Sequence, residues 1–197
     1  MQRVFYLFLF LFIGEVAVAQ NDPYTNSIVS WQKNYIAKHQ VVKGNDKKYF
    51  RFFPINKNYF VTATFEKVKD GVGFNMRTSA GTEQYFYKFG VLKFSLGGVA
   101  CQLSVYQSKE LMSTEKYKDY LFIPFTDKTT GAESYGSGRY LEYFSSDIKD
   151  GKLQLDFNGA YNPYCAYGKG FHCPIPPREN YLPVAVKAGE KVFGKKH

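Results

Sequence analysis

The sequence has few of the residues that most catalytic and metal centres require. Its 197 residues include three Cys, three His and one Trp. It has no G-x-S-x-G nucleophile elbow, no Gly-rich phosphate loop between a strand and a helix, and no close Cys pair of the zinc-ribbon kind. Serine-hydrolase, P-loop and zinc-ribbon chemistry therefore have no support, and we expect neither a metal nor a cofactor.

Long apolar runs are also scarce, and the one present lies at the N-terminus. Arg3 precedes an unbroken apolar run at residues 4–13, and residues 17–19 read Ala-Val-Ala, the form of a cleavage site. This order is typical of a secretory signal peptide, whereas a membrane anchor needs about 20 apolar residues. We predict cleavage after Ala19, no membrane span once the leader is removed, and a protein exported to the periplasm or secreted.

Acidic residues are the minority among the charges, since 17 Asp and Glu stand against 26 Lys and Arg, a formal net charge of +9. The Lys residues are scattered and do not alternate with aromatic residues on one face, so we expect no nucleic-acid partner. A basic surface suits a small anionic ligand, although it equally serves solubility. The sequence leaves the partner otherwise unknown.

Aromatic residues are plentiful at 19%, enough to build the core of a single domain. We divide the chain into a signal peptide at 1–19, an N-terminal helix packing on the domain at 20–44, and a β-rich domain at 45–197. The β-rich domain ends in a long proline-rich loop region.

The N-terminal helix is predicted from its cap and its spacing. Asp22 and Pro23 suit the N-cap and first helical positions. Ile28, Trp31 and Tyr35 then form one apolar stripe at helical spacing. The helix should end near residues 38–39, and we assign Trp31 to core packing against the domain.

From residue 49 the hydrophobic period changes from 3.6 to 2, which predicts short strands. Asp70-Gly71, Gly97-Gly98 and Asp150-Gly151 are tight-turn signals between them. Residues 158–183 contain little regular pattern. We predict an all-β domain, mainly an antiparallel meander closing into a small barrel or sandwich, with one N-terminal helix.

Three cysteines leave at least one unpaired. Cys101 alternates with apolar residues on one strand face, so we expect a buried, inert thiol. Cys165 and Cys173 are the plausible disulfide pair in an exported protein. Free thiols, or a metal bound with His172, remain alternatives.

Arg139 is the centre of the site that we predict. Its planar guanidinium suits a bidentate carboxylate contact, and Asp127, Glu133 and Asp156 are candidate partners. Asp127 also begins a sequence that favours an Asx-turn. Two interpretations stay open: a structural ion pair that holds a loop to the barrel, or an anion-binding Arg at the barrel mouth.

In the second interpretation Arg139 anchors a small anionic ligand, with Tyr135 and Tyr161 as walls and Asn158 and Asn162 as further ligand-binding residues. The Gly-Ser-Gly run at 136–138 lets the backbone approach closely before the strand of Arg139.

The sequence resembles the bacterial and archaeal family catalogued as domain of unknown function 1684. The resemblance is carried by F-x-D-x-T-x-G-x-E-x-Y-G-x-G-R-Y-L at 125–141, D-F-N-x-A-Y-N-P at 156–163, C-A-Y at 165–167, C-P-x-P-P at 173–177, E-N at 179–180 and A-G-E-K at 188–191. It departs at Ser134, where Thr is expected, and at Gly159, where a larger residue is expected. The resemblance implies a fold and a set of polar motifs, and it implies no reaction.

Three functions remain open from the sequence. The preferred one is an exported β-barrel module that binds a small-molecule or anionic ligand. The first alternative is a hydrolase that uses Glu133 or Asp156, or Asp127, as an acid or base, although the separation of these carboxylates cannot be read from a sequence. The second alternative is a structural or interaction domain with no ligand.

Overall fold

The computed structural model describes residues 22–69 and 71–195; the predicted leader lies outside them. Helix α1 spans Pro23–Lys38, as predicted. The Asp22 carboxylate caps it by accepting the Thr25 N–H at 3.3 Å, and Pro23 loses nothing at a position whose N–H has no helical partner. Among the described residues, no helix is both long and apolar enough to cross a bilayer.

Eight strands of the described chain form one curled sheet. They are β1 (Phe60–Lys67), β2 (Gly73–Arg77), β3 (Glu83–Leu96), β4 (Val99–Ser108), β5 (Tyr120–Asp127), β6 (Arg139–Phe144), β7 (Lys152–Asp156) and β8 (Tyr181–Leu182), with a one-turn helix α2 (Lys109–Met112) after β4. The order across the sheet is β6-β5-β4-β3-β1-β7, with β2 on β3 and β8 on β5. Among these eight strands, β8 alone pairs in parallel, with β5. The sheet is a half-barrel, which confirms the predicted mainly antiparallel fold with few helices.

Two of the three predicted turns are confirmed. Gly97-Gly98 joins β3 to β4, and both residues have positive φ (59° and 79°), as a two-residue hairpin of this kind requires. Asp150-Gly151 forms the second confirmed tight turn, just before β7, and both residues again have positive φ (50° and 67°).

The predicted hairpin at Asp70-Gly71 is wrong. Asp70 itself lies outside the described residues, but the flanking strands β1 and β2 do not pair with each other. Both pair with β3, β2 with residues 83–87 and β1 with residues 90–93. Strand β3 is 14 residues long with a register shift at Lys88/Gly90, so it accommodates two partners end to end along one edge.

The main core lies inside the curl of the sheet. Its side chains come from alternate positions of the strands and are almost wholly removed from water, among them Leu92, Leu103, Leu121, Ile123, Leu153, Leu155 and Phe157. A second, aromatic cluster packs Phe86, Tyr106, Phe122 and Tyr140 around Met76. Cys101 is a buried free thiol of the main core, and burial raises its pKa, as its position on an apolar strand face predicts.

The C-terminal segment is pinned to the sheet by a buried amide. Asn180 accepts the Ser104 N–H at 2.8 Å and donates to the carbonyls of Ser104 and Pro124 at 2.9 and 2.7 Å. These bonds satisfy backbone groups of β4 and β5 where the described ladder pairs only Tyr106 with Phe122. Residues 158–183 contain only short 3₁₀ turns and β8, so their sparse regular structure is confirmed.

The two edge strands β6 and β7 form no ladder with each other in the described chain. They approach through a side chain, since the Tyr143 hydroxyl accepts the Asp156 N–H at 2.8 Å. Helix α1 packs beside this seam, against the 3₁₀ turn Phe157–Gly159. The half-barrel therefore leaves an opening between its edges, with a helix along one side.

Candidate functional site

Arg139 lies inside the protein and is fully buried. Its Nη2 donates to Asp127 Oδ2 at 2.7 Å and to the Val186 carbonyl at 2.9 Å, and its Nη1 donates to the Ala188 carbonyl. The guanidinium also lies 5.2 Å from the centre of the Phe125 ring. Burial lowers the pKa of Arg139, and the Asp127 carboxylate opposes that shift. The geometry is that of the structural ion pair.

Asp127 is equally enclosed and equally engaged. Its Oδ1 accepts the Thr129 N–H at 2.6 Å, the predicted Asx-turn, and the Val186 N–H at 3.3 Å. Its second oxygen meets Arg139. Arg139 Nε has no hydrogen-bond partner, but it is buried with the rest of the guanidinium. An anion therefore reaches Arg139 only by displacing the surrounding protein, and an acid–base role for Asp127 meets the same obstacle.

A second buried carboxyl, Glu190, lies where α1 meets the C-terminal segment. It accepts the Asn162 N–H at 2.9 Å and the hydroxyls of Tyr167 and Tyr35 at 2.7 and 3.2 Å. Burial raises its pKa to about 7, although these hydrogen bonds favour the ionised form. Asn162 is fully buried and donates from Nδ2 to the Lys191 carbonyl, so it belongs to this structural cluster.

Asn158 and Asp156 form a third cluster at the base of α1. The Tyr24 hydroxyl lies 3.0 and 3.1 Å from the two Asp156 oxygens. Asn158 donates to Asp156 Oδ1 from both its backbone and its amide nitrogen, each at 2.9 Å, and its Oδ1 accepts the Asn56 N–H at 3.0 Å. Asn158 is buried, and it ties helix, strand and turn together.

An open groove of about 1020 Å³ runs along the seam of the half-barrel. Helix α1 forms one side, strand β6 another, and the residues between 156 and 174 the remainder. Its walls are chiefly aromatic: Trp31, Tyr35, Tyr140, Tyr143, Tyr161, Tyr164 and Phe171. The carboxyl groups of Glu142 and Asp156 also line it.

Glu142 is the accessible carboxyl of the groove. It follows Tyr140 by two positions on β6, so both side chains share one face of the strand. The Tyr161 hydroxyl donates to Glu142 Oε1, and the Tyr120 hydroxyl also bonds the carboxylate. Glu142 is exposed to solvent within the groove, yet the surrounding protein removes enough water to raise its pKa.

Trp31 both packs on the domain and lines the groove. It stacks on Tyr35 with ring centres 5.4 Å apart and meets the edge of Phe52 at 6.4 Å. The predicted packing against the domain is confirmed, but the indole is only half-buried. Its remaining surface belongs to the groove wall.

His39 lies at the end of α1, as predicted, and is buried among aromatic rings. Its Nδ1 accepts the Val42 N–H at 2.9 Å, which places the ring proton on Nε2. The nearest ring is Tyr167, 4.6 Å away between centres. Burial lowers the pKa of His39 to about 4, so the imidazole is neutral at physiological pH.

The Cys165–Cys173 disulfide is formed, as predicted, with a Cα separation of 6.3 Å. It closes the loop that carries Phe171 and His172 to the groove. The His172 Nδ1 lies 2.9 Å from Thr82 Oγ1, which ties this loop to the start of β3. Within residues 22–69 and 71–195, no three His, Cys, Asp or Glu side chains meet as a metal site requires.

The structure separates the residues that the sequence grouped into one site. Tyr161 and Asp156 line the groove, whereas Arg139, Asn158, Asn162 and Asp127 are buried structural groups. Tyr135 packs in a cluster with Phe50 and Phe193 away from it. Glu133 forms an ion pair with Lys187 at 2.9 Å at the surface.

Sequence reasoning missed Glu142 and the helix wall of the groove. The alternation of β6 is the one local signal, because it places Tyr140 and Glu142 together on a face opposite Arg139 and Leu141. The approach of Tyr161 and α1 to that face depends on contacts far apart in the sequence.

Comparison with other proteins shows similarity to solved structures and to a protein family. No curated protein matches the chain. The solution structure of the uncharacterised protein from gene locus rrnAC0354 of Haloarcula marismortui is 30% identical, with a TM-score of 0.64, over 85% of this chain and 94% of that one. Residues 48–191 match the family described as protein of unknown function DUF1684, and the chain belongs to that family.

Proposed function

We propose that this domain is an exported binding module whose ligand occupies the seam groove. The observation that carries the proposal is an accessible carboxyl, Glu142, held by two tyrosine hydroxyls in an open groove with aromatic walls. Ligand sites in proteins are concave, largely apolar and furnished with a few convergent polar groups. The leader pattern and the disulfide support export.

The aromatic walls suit a ligand with a flat apolar face. Trp31 and Tyr161 contribute rings from opposite parts of the chain, and Tyr164 is 38% exposed. Large rings of this kind supply most of the contact area in recognition sites because they bury much surface at low entropic cost. The half-exposed rings are therefore surface available to a partner molecule.

The ligand proposed here differs in charge from the anionic one that the sequence suggested. That suggestion rested on Arg139, which is fully buried and whose Nη1 and Nη2 groups donate to Asp127 and three backbone carbonyls. The groove lining contains two carboxyl side chains, Glu142 and Asp156, and one amino side chain, Lys38. A neutral ligand or one with hydrogen-bond donors fits this lining.

Binding fits the groove better than hydrolysis. A hydrolase with paired carboxyl groups needs both of them free to act on the substrate or on water. Glu142 is accessible, but both oxygens of Asp156 are already held by Tyr24, and Asn158 adds two more donors. Asp156 is therefore committed to the structural cluster.

The single tryptophan gives a reporter for the test. Trp31 is the one Trp of the sequence and lies in the groove wall, so its fluorescence responds to occupancy of that site. Benzyl alcohol, a neutral ring with one hydroxyl, is a suitable probe. We expect a saturable change in Trp31 emission with a dissociation constant of about 1 mM, typical of so small a ligand.

Two exposed tyrosines supply matched variants. Tyr164→Ala removes a ring from the groove wall and should lower the affinity for the probe by about tenfold or abolish its binding. Tyr181→Ala removes a ring that is 48% exposed outside the groove lining and should leave binding unchanged. A linear, unsaturable response, or equal losses in both variants, contradicts the proposal.

A further inference from the structure

Glu142 is a carboxylate without a cation. Among the described residues, each Lys or Arg that forms an ion pair does so with an acid other than Glu142. Its partners are the hydroxyls of Tyr161 and Tyr120. Two such donors use about half of the acceptor positions of a carboxylate, so capacity remains for a donor from outside.

Aromatic rings surround this carboxylate. Besides the two tyrosines that bond it, Tyr140 shares its strand face and meets Tyr161 edge to face, with ring centres 5.9 Å apart. Tyr164 is close enough for Glu142 to raise its pKa, after the larger effect of burial. The faces of phenol rings attract cations, so ring and carboxylate favour the same kind of group.

The partly desolvated position of Glu142 strengthens the same preference. Removal of water penalises the ionised carboxylate, which is why its pKa is raised. A bound cation with hydrogen-bond donors offsets that penalty, whereas an anion increases it. Among the described groove residues, Lys38 is the one Lys or Arg in the lining, and it is exposed at the end of α1.

We infer that the seam groove is selective for an organic cation, with a protonated amine at Glu142 among the tyrosine rings and an apolar or aromatic body against the remaining walls. The inference rests on the proposed function and gives the ligand its chemical class. The formal net charge of the chain is +9, so the selectivity for a cation arises locally from the carboxylate and the rings.

A series of three probes with one ring tests the charge preference: benzylamine as the cation, benzyl alcohol as the neutral analogue and benzoate as the anion. Affinities are measured by Trp31 fluorescence at a pH where benzylamine is protonated. We expect benzylamine to bind at least about tenfold more tightly than benzyl alcohol, and benzoate to bind more weakly than either.

Glu142→Gln keeps the shape of the side chain and removes its charge. It should erase the advantage of benzylamine, bringing the dissociation constants of benzylamine and benzyl alcohol for this variant to within about twofold of each other. Glu133→Gln, which removes a surface carboxylate already paired with Lys187, is the matched control and should preserve the advantage. Comparable melting temperatures of the two variants show that both remain folded.

The outcomes separate the two proposals. Equal binding of benzylamine and benzyl alcohol, or an advantage that survives in Glu142→Gln, overturns the cation inference and leaves the groove as a binding site. Failure of all three probes to produce a saturable response overturns the proposed function itself.

Discussion

At the scale of the residue, Arg139 illustrates how a functional-looking side chain can be structural. The sequence surrounds it with glycines, acids and aromatic residues, and in the structure one acid and one aromatic ring of that segment contact the buried charge. Asp127 neutralises it, Phe125 packs on its plane, and backbone carbonyls of residues 186–190 accept its protons. Its guanidinium fastens the C-terminal segment to the sheet.

Replacement of Arg139 should therefore act on stability. Arg139→Ala leaves the Asp127 carboxylate buried without its partner, and we expect a loss of about 3–5 kcal/mol in the free energy of unfolding. Arg139→Lys should also be destabilising because an ammonium group cannot reproduce the planar fork. Urea unfolding measures both, with the exposed Arg178→Ala as control. A stable Arg139→Ala protein would contradict the structural role.

A second prediction at the scale of the residue concerns the close packing of the Gly138 backbone against Phe125. Its φ is 88°, and a Cβ there would lie 2.5 Å from the Phe125 carbonyl oxygen. Gly131 has a similar φ of 82° but open space around the same position. Gly131→Ala should cost about 1 kcal/mol from backbone strain alone, and Gly138→Ala should cost clearly more. Equal melting temperatures for the two variants would refute the close approach.

At the scale of the element, helix α1 is attached to the sheet through polar clusters beneath the groove. Tyr24 bonds Asp156 near its first turn and Tyr35 bonds Glu190 near its last. The helix is predictable from its cap and apolar stripe, but its docking position is not, because Asp156 and Glu190 lie more than 130 residues away in the sequence. The groove wall is a product of that docking.

The anchoring of α1 predicts a pH dependence of stability. Glu190 has a pKa of about 7 in the folded protein, and about 4.3 is usual in an unfolded chain. The folded state thus binds the Glu190 proton more tightly than the unfolded state does. The stability that protonated Glu190 contributes is therefore fully present below about pH 4 and is lost as the pH rises through 7.

Comparison with Glu190→Gln isolates this effect. The stability of the wild type relative to Glu190→Gln should fall between pH 5 and pH 8, by up to about 3 kcal/mol. His39, with its pKa lowered to about 4, destabilises the fold as pH falls below about 6.5, but it is present in both proteins and cancels in the difference. A difference independent of pH would show that Glu190 is ionised throughout.

The disulfide loop is the other element that shapes the groove. Cys165 and Cys173 close a short loop, for which the chain-entropy model gives roughly 2.5 kcal/mol. Thiol titration of the denatured, unreduced protein should find one free thiol, that of Cys101. A reductant should lower the melting temperature of the wild type and leave a Cys165→Ser/Cys173→Ser variant unchanged. Three free thiols in the unreduced protein would rule out the bond.

At the scale of the whole molecule, local sequence patterns predicted the secondary-structure elements but not how those elements assemble. Strand alternation and turn glycines predicted most strands, the antiparallel sheet and two of three turns. Pairing of β1 and β2 with opposite ends of β3, and the incomplete closure of the sheet, depend on long-range packing. The candidate site followed the same rule: Arg139, Asn158 and Asn162 of the motifs are buried in the structure. Glu142 could not be singled out from the sequence because its partners converge only in the folded chain.

The proposed export rests on the leader pattern at residues 1–19. The mature protein should begin at Gln20, which intact-mass measurement or N-terminal sequencing of protein recovered from an exporting host will determine. Arg3 and the apolar run should be missing from it. A mature form that retains residues 4–13 would contradict cleavage and imply an anchored protein.

The central claim is that ligands bind in the seam groove and not at the buried Arg139. The most direct measurement is a map of backbone and indole amide shifts in the mature domain titrated with benzylamine. The account predicts saturable shifts at the Trp31 indole and at residues 140–143, with residues 127 and 186–190 around Arg139 unaffected. The largest shifts at residues 127 and 186–190, with the Trp31 indole unmoved, would contradict it.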